Sequence, residues 1–185
     1  MIAQNAVHKT INTEEYTEEE LISEMRQYRC LLIISLLTLL IVGFIFSNSL
    51  KSGEESNTQS APLVNWVESI FDPYDKIPTS TFNYLVRKAA HITEFSLLGL
   101  SLGGLMCCVY RLRGRWHIAA VLFGGLTTAV ADEFIQSFTG RTSSVTDVLI
   151  DFVGVGSGMG IVLVLYWWSS GNVGMNTKLI NGYHD

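Results

Sequence analysis

The chain has 185 residues, 48% of them apolar, a mean hydropathy of +0.30 and a formal net charge of −5. That length suits one domain, and the acidic balance gives no reason to expect a nucleic-acid partner. Cys30, Cys107 and Cys108 are odd in number and lack metal-ligand spacing, which argues against a disulfide framework.

The apolar residues gather into runs of membrane-spanning length, which predicts an all-α polytopic membrane protein. The expected architecture is a bundle of four transmembrane helices with a long extracytoplasmic loop. Residues 1–29 are polar and acidic, with Glu14, Glu15, Glu18, Glu19 and Glu20, and read as a solvated tail or short surface helix. They are too long and too acidic for a signal-peptide head, so no processing is expected. Residues 30–46 form a nearly pure Leu/Ile/Val/Phe run, at the short end of what crosses ~30 Å of hydrocarbon. Residues 47–62, rich in Ser, Asn, Gly and Glu, predict an exposed loop. Val64, Val67, Ile70 and Phe71, with Trp66 nearby, then fall at helical spacing. That pattern fits a short helix lying flat at the membrane surface and equally one packed on the other helices. Pro73 and Pro78 punctuate the stretch up to Thr81. The remaining spans are expected at 87–109, 116–138 and 145–168, closing a transmembrane domain over 30–168, and residues 169–185 read as a polar tail.

Arg111, Arg113 and Arg115 crowd the short loop between the second and third spans, and basic residues in short loops are retained in the cytoplasm. Arg26 and Arg29 agree, so both termini are expected inside; Lys51, Lys76, Arg87, Lys88 and Arg141 oppose this orientation. Tyr110, Trp116, Trp167 and Trp168 would then form an inner interfacial belt.

Ionisable groups at membrane depth are costly and mark functional sites. The second span opens with Arg87, Lys88, His91 and Glu94; the third ends with Asp132, Glu133 and Gln136; Arg141 lies in the connector; and Asp147 and Asp151 open the fourth. At 1.5 Å per residue, Glu94, Asp132 and Asp151 each lie roughly 9–10 Å from the same ends of their spans. Alternating spans thus deliver distant motifs to one level. His91/Glu94, Asp132/Gln136 and Asp147/Asp151 each share a helix face. Gly99/Gly103 and Gly154/Gly158 form small-xxx-small pairs that allow close helix approach. Plainer roles stand beside these. Ser144-Val-Thr-Asp147 fits a capping box, Gly140 fits the residue after a helix end, Arg87 and Lys88 fit headgroup snorkelling, and Arg141 fits a pairing that pins the bundle. For His91, Glu94, Asp132, Glu133 and Asp151 the plain alternative is a structural polar network.

Two chemistries use the cluster. Glu94, Asp132, Glu133 and Asp151 with His91 offer ligands for a divalent metal cofactor, better suited to Mg, Mn or Ca than to zinc, although the spacing matches no established metal motif. Alternatively Arg87, Lys88 and Arg141 hold phosphate while His91 or a carboxylate moves a proton. Ser96, Ser143 and Ser144 lack the context of a serine nucleophile, and the glycines of the fourth span lie inside an apolar helix, not a phosphate loop.

Assembled in order, these motifs resemble those of the VanZ-like family of small bacterial membrane proteins over roughly residues 46–168. Ser47, Asn48 and Ser49 come after the first span; Arg87-Lys88-Ala-Ala-His91-Ile-Thr-Glu94-Phe95 looks like the family's RKxxHxxEY/F element; Asp132-Glu133-Phe-Ile-Gln136 looks like its DExxQ element; and Gly140-Arg141 and Asp147…Asp151 before Gly154 complete it. Phe152-Val153 departs from the Asn that many members carry there. The resemblance implies a bacterial inner-membrane protein from a family named for a component that raises tolerance to teicoplanin. It implies no established reaction. The leading expectation is a polar outward site, with Arg87, Lys88 and Arg141 on phosphate and His91, Glu94, Asp132, Glu133, Gln136, Asp147 and Asp151 lining it, that binds the headgroup of an envelope lipid or lipid-linked cell-wall precursor. A membrane-embedded enzyme, with or without a metal, that modifies such a lipid is the alternative. A proton-coupled transporter or flippase comes third, because the far halves of the last three spans are apolar and no inverted repeat is evident.

Overall fold

The computed structural model describes residues 18–72, 74 and 76–181, with side chains described up to Ser170. Pro73, residues 1–17 of the expected N-terminal tail and residues 182–185 lie outside the described residues. Five helices succeed one another: α1 Glu18–Ser49, α2 Gly53–Phe71, α3 Thr79–Arg113, α4 Ile118–Ser137 and α5 Val145–Asn181. There is no strand among the described residues. α1, α3, α4 and α5 are long and apolar enough to cross a membrane, and α3 is the hub, packing against each of the other four helices.

Many of the largest apolar side chains point away from the bundle, among them Leu32, Ile33, Leu39 and Leu40 of α1, Phe123 and Phe134 of α4, and Val153 and Val164 of α5. In water such a surface would be an association hazard; in hydrocarbon it is the solvated face. The interior is slim. Ile45, Phe95, Leu98, Ala129 and Val155 form one buried cluster, and Met106, Val121 and Met159 form a second.

With no hydrophobic drive between helices in lipid, close backbone approach has to supply the packing. α3 and α5 achieve this through the small-xxx-small pairs. A Cβ at Gly99 or Gly158 would run into the backbone of the facing helix, at Val155 and at Ser96–Leu100 respectively, and one at Gly154 would lie 2.9 Å from the Ile92 carbonyl. Gly103 faces Met159 and Val162 in the same seam.

The helices outrun the apolar runs that reveal them. α1 begins at Glu18, so the second half of the expected N-terminal tail is helical; α3 begins at Thr79, eight residues ahead of the expected span; and α5 continues past the expected polar tail boundary to Asn181. Hydropathy marks the lipid-facing part of a helix and is blind to turns that emerge into water. The larger correction concerns residues 47–62, expected as an exposed loop. Most of that stretch is the first half of α2, which is started by a capping box: Ser52 Oγ accepts from Glu55 N–H, and the Glu55 carboxylate accepts from Ser52 N–H. Pro62 sits inside α2 and removes one helical hydrogen bond. Anchors on either side hold the helix through it, namely the capping box and the buried Val64, with Glu68 accepting from Thr79 Oγ1 at 2.8 Å. Trp66, Ile70 and Phe71 remain exposed along the same helix.

At the end of the bundle formed by the α3–α4 turn, Tyr110 stacks on Trp116 at 4.1 Å and Tyr166 meets both edge-on. Trp167 and Trp168 point outward close by. The polar groups gather at the opposite end.

Candidate functional site

Three helices converge on one buried cluster. Asp132 of α4 and Asp151 of α5 are 0% and 1% exposed, and both face the ring of His91 on α3. His91 Nδ1 lies 3.5 Å from Asp151 Oδ1 and 3.8 Å from Asp132 Oδ2. Asp132 is held firmly: Gln136, one turn along α4, donates Nε2–H at 2.6 Å, and Ser49 Oγ–H, from the end of α1, donates to the other oxygen. Asp151 is held less completely. Its Oδ2 is buried with no hydrogen-bond partner among the described residues.

Glu94, one turn beyond His91, faces α1, where it accepts from Asn48 Nδ2 at 2.8 Å; Asn48 in turn accepts from Lys51 Nζ at 3.0 Å. Glu133 is next to Asp132 in the chain, so helical geometry turns it about 100° around α4. It accepts from the Ser144 N–H at 3.0 Å, at the N-terminus of α5, where a carboxylate also meets the positive end of the helix dipole. Of the carboxylates considered as metal ligands, then, Asp132 and Asp151 approach His91, while Glu94 and Glu133 are committed elsewhere.

The basic residues divide similarly. Lys88 pairs with Asp147. Asp147 therefore does not complete the capping box: Ser144 Oγ accepts from its N–H at 3.2 Å, but the Asp147 carboxylate reaches across to α3 instead. Arg141 comes from the connector after α4, where Gly140 takes a left-handed φ of 72° that lets the chain double back. Gly140 lies two residues past the Phe138 cap, one position beyond the C′ place expected for it. Arg141 Nη2 lies 3.3 Å from His91 Nε2, a contact that needs the lone pair on Nε2. Arg141 and Arg87 form no ion pair among the described residues. Burial and then the nearby Arg87 charge depress the proton affinity of Arg141 below the usual guanidinium range, although it stays charged.

Above the cluster opens a cavity of about 530 Å³, lined by Tyr84, Arg87, Lys88, His91, Glu133, Gln136, Arg141 and Asp147 among others. On the α1–α2 side a second, about 270 Å³, is lined by Asn48, Arg87, His91, Glu94 and Arg141, so the two arginines and His91 face both.

The VanZ/LLP1 family profile matches residues 34–166, more than two thirds of the chain. The chain belongs to the VanZ/LLP1 family. No curated protein matches it. No solved structure does either. The matched region of this VanZ/LLP1 protein contains every residue of the cluster and every cation at its mouth. Asn48 and Ser49 were not among the residues singled out from the sequence as forming the site, although they hold Glu94 and Asp132. The available signal was their position: two polar side chains at the end of an apolar span, on the level of the other costly groups.

Proposed function

We propose that this VanZ/LLP1 protein is a multi-pass protein of the bacterial cytoplasmic membrane, with the cavity end facing outward and both termini in the cytoplasm. It binds the phosphorylated headgroup of an envelope lipid or lipid-linked cell-wall precursor and so changes how the cell surface meets lipoglycopeptides such as teicoplanin. Arg111, Arg113 and Arg115, in and beside the short α3–α4 turn, support the orientation.

One observation carries the headgroup reading. The guanidiniums of Arg87 and Arg141 line the same cavity, and neither has a carboxylate partner among the described residues. Like charges in a partly buried site raise the free energy, and an anion placed between them lowers it. Phosphate suits two planar forks because each can take it bidentately. Lys88, already neutralised by Asp147, adds a weaker third contact. His91, Glu94, Asp132, Glu133, Gln136 and Asp151 form the floor and walls beneath.

The test is expression of wild type, Arg87→Ala, Arg141→Ala and Asp132→Asn at matched membrane levels in a teicoplanin-sensitive host. Loss of protection in each variant is expected. Protection equal to wild type in all three, with wild type clearly protective, removes the assignment.

A second reading, a membrane-embedded enzyme acting on the same class of lipid, is favoured by the His91 ring lying between two buried carboxylates, an arrangement suited to moving a proton. It requires a lipid of altered mass in cells that overproduce the protein. A lipid profile matching the empty-vector strain counts against it.

A further inference from the structure

His91, Asp132 and Asp151 each offer one ligand atom, and these atoms lie within 4.8 Å of one another. The His91–Asp151 and His91–Asp132 separations, 3.5 and 3.8 Å, are at or beyond the limit of a hydrogen bond. They are close to the roughly 3–3.5 Å that separates neighbouring ligand atoms around an ion bound at about 2.1 Å. The buried, unpartnered Oδ2 of Asp151 belongs to the same carboxylate, so that oxygen has an acceptor capacity that no protein donor among the described residues meets. Asp132 carries the kind of support that metal-binding carboxylates have, with Ser49 and Gln136 fixing its orientation. Charge points the same way. Two buried carboxylates face a ring whose other nitrogen meets an arginine, and a doubly charged cation between them balances both.

We propose that His91 Nδ1, Asp132 and Asp151 bind one divalent first-row cation beside the 530 Å³ cavity that His91 lines; with Glu94 and Glu133 committed elsewhere, the remaining nitrogen and two carboxylates suit Zn2+ as well as Mn2+. One nitrogen and two carboxylates leave a position free, as three-ligand metal sites do. The site also gives Arg141 a switch. With the imidazole proton on Nδ1, Nε2 accepts from the guanidinium, as the 3.3 Å contact requires. An ion on Nδ1 moves that proton to Nε2, which then repels the Arg141 N–H, and the guanidinium turns toward Arg87 and the cavity. This second step rests on the headgroup reading: ion and phosphate bind cooperatively, the phosphate taking both the open metal position and the released arginine.

The experiment uses full-length protein in detergent, stripped with chelator and titrated with Mn2+ and, separately, Zn2+. One ion per chain is expected, with a nitrogen coupling in the Mn2+ electron-spin-echo spectrum that disappears in His91→Gln. Asp132→Asn and Asp151→Asn should weaken binding by more than about 100-fold and Ser49→Ala by about 10–100-fold, as the loss of a ligand and of its support do. Glu68→Gln, a carboxylate of α2 far from the cluster, should leave binding unchanged. Absence of binding by wild type up to about 1 mM, or an affinity indifferent to the ligand substitutions, overturns the site. Should the variants fail to fold, the wild-type spectrum still decides, since Mn2+ without nitrogen coupling is not at His91. Inorganic pyrophosphate then separates the two readings. Tighter pyrophosphate binding to loaded than to stripped protein, with the gain lost in Arg141→Ala, supports the cooperative step. Equal binding to both forms overturns that step and keeps the headgroup reading, whereas a metal site with no pyrophosphate binding overturns the headgroup reading and the cooperative step together and keeps the metal site.

Discussion

Gly156 and Gly158 lie two residues apart on α5, and alanine at the two positions should act in opposite directions. A Cβ at Gly156 meets nothing within 4 Å. There the substitution only removes glycine's excess backbone freedom, which is worth up to about 1 kcal/mol in favour of the helix. At Gly158 the added methyl runs into the Ser96 carbonyl and lies 2.7 Å from the Leu100 N and 3.0 Å from the Gly99 carbonyl carbon. These are backbone atoms of a helix and cannot rotate aside, so α5 must lift from α3. Forcing a methyl into such a contact costs at least the 1–3 kcal/mol typical of overpacking. The propensity gain is common to both, so the two variants should differ by the overpacking cost, about 1–3 kcal/mol, in denaturation of the detergent-solubilised protein, monitored by tryptophan fluorescence or by helicity. His91 and Asp151 face each other across the same seam, so Gly158→Ala should also disturb the site. A Gly158→Ala protein as stable as Gly156→Ala would show that α3 and α5 are not in backbone contact.

Ser49→Ala leaves Asp132 Oδ1 without its donor, and an unsatisfied buried acceptor costs about 1–3 kcal/mol, measurable in the same denaturation experiment. Cys30 and Cys108 Sγ are 3.3 Å apart, so a membrane-active oxidant should close an α1–α3 disulfide, seen as a mobility shift that Cys108→Ser removes and Cys107→Ser does not. Ser52→Ala opens the capping box of α2 and should cost about 0.5–2 kcal/mol, read as faster hydrogen exchange over residues 53–58 with α3 unaffected. An impermeant thiol reagent should label Ser60→Cys on intact cells in a background lacking the native cysteines; labelling only after lysis would reverse the proposed orientation.

The four spans were legible because lipid demands long apolar runs, and the level of the cluster because helix rise is constant: Glu94, Asp132 and Asp151 could be placed by counting from span ends. Side-chain direction was not legible. Asp132 and Glu133 are adjacent in sequence, yet one meets His91 and the other the start of α5, a division set by where α5 packs. Asn48 and Ser49 open the family resemblance, but the sequence assigns them no part in the site, since their roles exist only once α1 lies against α3 and α4. The Ser52/Glu55 capping box was present in the sequence, but the polar composition around it, together with Pro62, points to a loop and masks it.

That division also sorts structural polar groups from available ones. Lys88–Asp147 ties α3 to the start of α5, Glu133–Ser144 ties α4 to the same turn, and Asn48–Glu94 ties α1 to α3. Together these pairs bind the mouth of the bundle, and each satisfies itself. Removing them and the Ser49–Asp132–Gln136 set leaves a short remainder: the Arg87 and Arg141 guanidiniums, which have no carboxylate partner among the described residues, and an Asp151 oxygen with no donor among them. A structural network has no need of such a remainder, because buried groups left unpaired cost stability wherever nothing binds them. The remainder holds both signs of charge, with cations at the cavity mouth and the Asp151 carboxylate below. That polarity suits a ligand whose anionic part meets the arginines while a cation bridges it to the floor, and it does not suit a neutral or purely cationic one.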